Sequence, residues 1–79
     1  RLGPDALEIT PQRLAASLAT TRRAVKAALL DQHLIAGVGN IYADEALFRA
    51  RVAPTRRSDR LSRGSVAAIA QKVPEVLRE

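Results

Sequence analysis

The chain has 79 residues, enough for one small domain with a limited core. Hydrophobic residues make up 47% and charged residues 27%, which excludes a disordered chain, and the absence of cysteine excludes disulfides and thiolate metal sites. Net charge is +5, and the longest apolar runs fall far short of a membrane span.

The pattern predicts an all-α fold of four helices, with no strand, repeat or low-complexity linker, as a single domain over 1–79. Thr10 reads as an N-cap with Pro11 at the first helical position, and Ile9 and Leu14 have hydrophobic-staple spacing. Helix one then runs to about Ala19 with Leu14 and Leu18 on one face. Thr20 or Thr21 caps helix two, Arg22 to about Leu30, whose apolar face is Val25, Ala28 and Leu29. The segment 31–39 is not helical by pattern. Asn40 is a good N-cap for helix three, Asp44 and Glu45 sit near its positive end, and Ile41, Leu47, Phe48 and Val52 supply its buried side. Pro54 closes it, and an arginine-rich loop follows. Ser62 caps helix four, with Val66, Ile69, Val73 and Leu77 at helical spacing. Pro74 removes a backbone donor, so that helix is expected to kink there, or to stop and restart.

The basic residues, mostly arginine, fall into two clusters. Arg13, Arg22, Arg23 and Lys26 form one; Arg49, Arg51, Arg56, Arg57, Arg60 and Arg63 form the other, diluted by Asp59. Arginine presents a planar fork that suits phosphate oxygens, so the pattern points to a polyanion. A merely solvated basic surface is an equal reading on charge alone.

Between the clusters lies Gly37-Val38-Gly39-Asn40. Two glycines can take positive φ without a Cβ penalty, and the amides near Gly39 and Asn40 would then face outward at a helix N-terminus, where an anion is favoured. The Asn40 side chain can cap the helix or donate to a phosphate oxygen. The plainer reading is a tight turn between helices. The dinucleotide-binding fingerprint does not apply, because its third glycine and its preceding strand are missing. His33, the sole histidine, has no second ligand type nearby and reads as a turn residue rather than a metal ligand. Asp44 and Glu45 are adjacent and do not face each other, so ion pairs fit better than acid–base chemistry. Tyr42 is expected to be partly buried or to stack near a ligand, Asp31 is a candidate partner for Lys26 or an arginine, and Arg56 and Arg57 either reach distant phosphates or are solvated.

Asp31-Gln32 followed by Ile35-Ala36-Gly37-Val38-Gly39-Asn40-Ile41-Tyr42-Ala43-Asp44-Glu45-Ala46-Leu47-Phe48-Arg49-Ala50 resembles the signature segment of the formamidopyrimidine-DNA glycosylases. The likeness extends to Leu2-Gly3-Pro4-Asp5-Ala6-Leu7, Lys26, Leu29-Leu30 and Pro54. The sister endonuclease VIII group typically has Lys-Ser where this chain has Ala43-Asp44. The resemblance implies a helix–two-turn–helix DNA-binding domain whose glycine turn touches the backbone beside a damaged nucleotide. It also implies DNA contacts through Lys26, Gly37, Gly39 and Asn40, to which the residues' own chemistry adds Tyr42, Arg56 and Arg57 as candidate DNA-binding residues.

In that family an N-terminal proline forms a Schiff base with the sugar, and a C-terminal zinc finger uses cysteines. This chain begins at Arg1, has its first proline at Pro4, and carries no cysteine. The expectation is therefore an excised middle domain of a longer bacterial, cytoplasmic and monomeric enzyme that removes oxidised purines and nicks the abasic strand. No catalytic residue and no cofactor is expected in the piece itself, with zinc in the parent's finger and damaged duplex DNA as partner. The alternatives are a ribosomal RNA-binding module of similar helix arrangement, against which the IYADEALF run argues, and a helical scaffold whose arginines only confer solubility.

Overall fold

The Asp5 carboxylate accepts the Leu7 N–H at 2.9 Å and starts a short 3-10 turn, Ala6–Glu8. In this computed structural model, which describes residues 2–79, that opening segment is stitched to the glycine stretch. Ala6 N–H donates to the Ala36 carbonyl and Ala36 N–H to that of Pro4, both at 2.9 Å. Gly3 lies so close to residue 34 that a Cβ there would stand 2.5 Å from the Leu34 carbonyl carbon, which is why glycine is needed.

Helix α1, Pro11–Leu18, begins as its sequence demands: Thr10 Oγ1 accepts the Arg13 N–H at 3.2 Å, and Ile9, Leu14 and Leu18 are buried. Helix α2 is Val25–Leu30 and starts three residues later than the pattern predicts. The cause is long-range. Val25 N–H donates to the Arg56 carbonyl at 2.7 Å, and the Ser58 N–H and Oγ both donate to that of Arg23, at 3.0 and 2.8 Å. This pairing holds Ala24 extended (ψ 143°), so residues 22–24 cannot join the helix. Thr21 accepts the Arg23 N–H in a local turn instead of capping α2. The buried face is as expected: Val25, Ala28 and Leu29.

Helix α3 is Asn40–Ala50. Leu47 and Val52 are buried, as anticipated, but Ile41 and Phe48 are 78% and 79% exposed. Ala43 and Ala46 face inward in their place, small enough to let α3 lie close against its neighbours α2 and α4. The helix ends before Pro54 can act: Arg51 turns left-handed (φ 59°, ψ 40°), and Arg51 N–H and Val52 N–H donate back to the Phe48 and Leu47 carbonyls. A second 3-10 turn, Ser58–Arg60, leads to α4, Arg63–Leu77, where Ser62 Oγ accepts the Ser65 N–H at 3.1 Å.

Helix α4 does not stop at Pro74. Val73 and Val76 on either side of it are buried, and Arg49 of α3 holds Glu79 through two guanidinium nitrogens (Nη2–Oε1 2.7 Å). This packing keeps the final turn helical although one backbone donor is missing. The core fills the space where α4 crosses α1 and α3, around Leu14, Leu18, Leu29, Ile35, Leu47 and Ile69. Among the described residues there are two isolated β-bridges, Asp5–Ala36 and Ala24–Arg57, but no strand.

Candidate nucleic-acid interface

The turn before α3 is built by residues whose own polar groups are satisfied. Gln32 Oε1 accepts the Gly37 N–H at 2.8 Å, while its amide donates to the Leu30 and Val38 carbonyls at 3.4 Å. Asp31 accepts the His33 N–H at 2.9 Å and pairs with Arg23 at 2.7 Å. These two contacts, the backbone amide first, hold the Asp31 carboxyl below the usual carboxylate range. Val38 is buried, which pins the middle of the corner, and Gly37, Gly39 and Asn40 are exposed around it.

The two glycines differ. Gly37 has φ +101° and so needs to be glycine. The expectation of a second positive φ fails at Gly39, which is extended (φ −92°, ψ 170°) and is itself the residue before the helix. Asn40 is consequently the first helical residue and not the cap, and its side chain makes no capping bond. Among the described residues neither the Asn40 side chain nor the Gly39 and Asn40 N–H groups have an acceptor or donor partner in the chain. Helix amides at an N-terminus have no intrahelical acceptor, and no acid occupies the first turn, so the corner presents open donors and a positive dipole end. A Cβ on Gly39 would meet only the Tyr42 ring at an ordinary 3.5 Å. Tyr42 is half exposed and lies beside the corner.

Asp44 and Glu45 lie beyond the first turn and answer cations. Lys26 Nζ stands 2.9 Å from Asp44, one turn along α3 from Asn40, and Glu45 holds Arg49 at 2.8 Å. Lys26, Gly37, Gly39, Asn40 and Tyr42 are therefore brought to one region. The Arg56 and Arg57 loop is joined to α2 through the Val25–Arg56 bond and through Lys26 N–H to the Pro54 carbonyl. Within that loop Arg57 is forked onto Asp59 (2.7 and 3.0 Å), whereas the Arg56 side chain has no acidic partner among the described residues. Of the first basic cluster, Arg23 and Lys26 are paired, whereas Arg13 and Arg22 have no acidic partner among the described residues. Sequence reasoning gave Gln32 no role. Its only signal is its place directly after Asp31 in the signature segment.

Residues 2–79 match the family described as "Formamidopyrimidine-DNA glycosylase H2TH domain". The chain belongs to that family. The H2TH domain is 48% identical over 81 residues to formamidopyrimidine-DNA glycosylase of Desulfitobacterium hafniense, covering 100% of this chain and 30% of the relative. It is 47% identical over 76 residues to the Bacillus subtilis enzyme of the same name, covering 96% and 28%. Among solved structures, the MutM (Fpg) protein from Thermus thermophilus superposes with a TM-score of 0.91 at 45% identity, covering 99% of this chain and 30% of that one. A Lactococcus lactis Fpg in complex with abasic-site-containing DNA gives a TM-score of 0.88 at 29% identity, covering 98% and 29%. The H2TH domain thus spans about 30% of the length of such relatives.

Proposed function

We propose that this H2TH domain grips one DNA strand for a base-excision-repair glycosylase of which it forms part. The corner at 37–40 holds a phosphate beside the damaged nucleotide. The observation that carries this reading is Gly39. Its backbone is ordinary and a Cβ would fit, so folding does not require glycine there. What a side chain at that point would obstruct is the approach of a ligand to open amides. Asn40 adds a side-chain donor, Lys26 and Arg56 add charge, and Tyr42 flanks the site. Gly37 shapes the corner, and Arg57, forked onto Asp59, orders the loop and reaches phosphate only at its edge.

The parent is proposed to remove oxidised purines and to cleave the resulting abasic strand through an amine nucleophile outside these 79 residues. The domain alone holds DNA without cutting it. A zinc ion in the parent would also be held elsewhere: the chain has no cysteine, and among the described residues no three potential ligands stand together. No helix among the described residues is long and apolar enough to cross a membrane. The parent is proposed to be a cytoplasmic monomer, the location resting on the bacterial DNA glycosylases that the chain resembles. The ribosomal RNA alternative drops out because the matched family is a glycosylase domain.

The test is fluorescence anisotropy with a duplex carrying an abasic-site analogue. Asn40→Ala is expected to weaken binding about tenfold, as loss of one charge-assisted hydrogen bond would, at roughly 1.5–3 kcal/mol or somewhat less in a wet site. Wild-type affinity in this variant, with unchanged melting, would refute the phosphate contact.

A further inference from the structure

We propose that Gln32 is a positioning residue for the phosphate corner: its side-chain amide fixes the plane of the peptide between Val38 and Gly39, so that the Gly39 N–H faces outward. This role rests on the reading of the corner at 37–40 as a phosphate site. Gln32 Oε1 accepts the Gly37 N–H at 2.8 Å, and Nε2 donates to the Leu30 and Val38 carbonyls, each at 3.4 Å. Leu30 is the last residue of α2, so the amide is anchored there while it spans the corner. The pattern asks for an acceptor and two donor hydrogens on one head group, and among side chains of this reach only the carboxamide supplies both. Glutamate lacks the donors; lysine and arginine lack the acceptor.

The consequence lies in the peptide unit itself. The carbonyl and N–H of a trans peptide point in opposite directions, and no peptide bond among the described residues is cis. Holding the Val38 carbonyl toward Gln32 therefore aims the Gly39 N–H away from it, on the open side of the corner, where the described residues offer it no acceptor. Turning that plane over would present the Val38 carbonyl to a phosphate and withdraw a donor. Gly39 makes the flip cheap: its φ would pass from −92° to about +90°, which glycine tolerates and other residues do not. The residue left bare for a ligand is thus the one most able to turn its amide away, and Gln32 opposes that turn. Gln32 is exposed. Without its amide, water satisfies the freed groups in either orientation, so folding changes little while the orientation is no longer set.

The test measures binding of the full-length parent to a duplex carrying an abasic-site analogue, as a double-mutant cycle between Gln32 and Gly39. Gln32→Met is expected to melt close to the wild type and to bind about fivefold more weakly, because fewer molecules hold the amide outward. In Gly39→Ala the flipped state needs a strained positive φ, so there the same change at Gln32 is expected to cost less than about twofold. Gln32→Glu keeps the acceptor for Gly37 and loses only the donors, which secures a folded variant. The repulsion of its charge is equal in both backgrounds, so its penalty too is expected to shrink in Gly39→Ala. Wild-type affinity in Gln32→Met, while Gly39→Ala binds weakly, would overturn the positioning role alone. So would equal losses in both backgrounds, which would make Gln32 a general support of the fold. Wild-type affinity in Gln32→Met and Gly39→Ala alike would overturn the phosphate reading, and the positioning role with it.

Discussion

Gly37 and Gly39 answer to different demands, and single substitutions separate them. Alanine at Gly37 must adopt φ near +101°, which costs an L-residue about 1–2 kcal/mol. Gly37→Ala is therefore expected to lower the melting temperature by several degrees. Gly39→Ala meets neither strain nor a clash, so it should melt like the wild type and still bind abasic-site duplex more weakly. Full affinity in Gly39→Ala would mean that nothing approaches that backbone. Lys26 offers a second residue-scale test, because Asp44 at 2.9 Å restrains its charge. An exposed pair contributes about 0–1 kcal/mol, so Asp44→Asn should leave stability nearly intact. It should tighten DNA binding about threefold at low salt and steepen the logarithmic salt dependence by about one phosphate equivalent. An unchanged slope would show that the freed lysine does not reach the DNA backbone.

At the scale of elements, the end of α3 carries a correctable cost. Arg51 occupies the left-handed position that closes the helix, a position glycine fills without a Cβ penalty. Arg51→Gly gains back the strain but loses some through the floppier unfolded chain, for a net gain of roughly 0.5–1 kcal/mol. In a domain this small that is about 3–6 °C in thermal melting; a decrease would show that the arginine side chain contributes more than its backbone costs. The same helix shows where sequence reading reached its limit. The starts of α1 and α4 were legible because Thr10-Pro11 and Ser62 act within a few residues of themselves. The start of α2 was not, because residues 56–58 set it from across the chain. On α3, periodicity assigned the largest apolar residues to the core, yet two alanines lie inside and Ile41 and Phe48 outside. Alanine carries little hydrophobic signal, and its value here, close approach to α4, depends on a partner that the local pattern does not contain. At the site, Gly37 and the open amides were legible from the glycine spacing and the helix start. The Gln32 brace and the Lys26–Asp44 pair were not, because each joins side chains that only the folded path brings together.

At the scale of the molecule, ion pairs tie the connections together, and their response to acid follows from the carboxylates involved. The Arg49 guanidinium, which also reaches Glu45 and Glu75, holds Glu79 below its ordinary range and so links α3 to the end of α4. Arg57 does the same to Asp59, and the His33 amide followed by Arg23 does it to Asp31. In each case the folded pKa lies below the unfolded one. The stabilisation is therefore complete above the unfolded value and is lost as pH falls through the folded value. The urea midpoint is expected to stay level from about pH 7 to pH 5 and to decline below about pH 4. The Glu79 side chain is 56% exposed, while those of Asp31 and Asp59 keep 25% and 24% of their surface. All three still meet solvent, so mobile ions compete with these pairs and the decline should be shallower at high ionic strength. The decline should also shrink in Glu79→Gln, because that variant no longer carries the carboxylate whose protonation frees Arg49. A midpoint that holds level down to pH 3 in low salt would show that burial around Leu14, Leu47 and Ile69 keeps the helices together without these pairs.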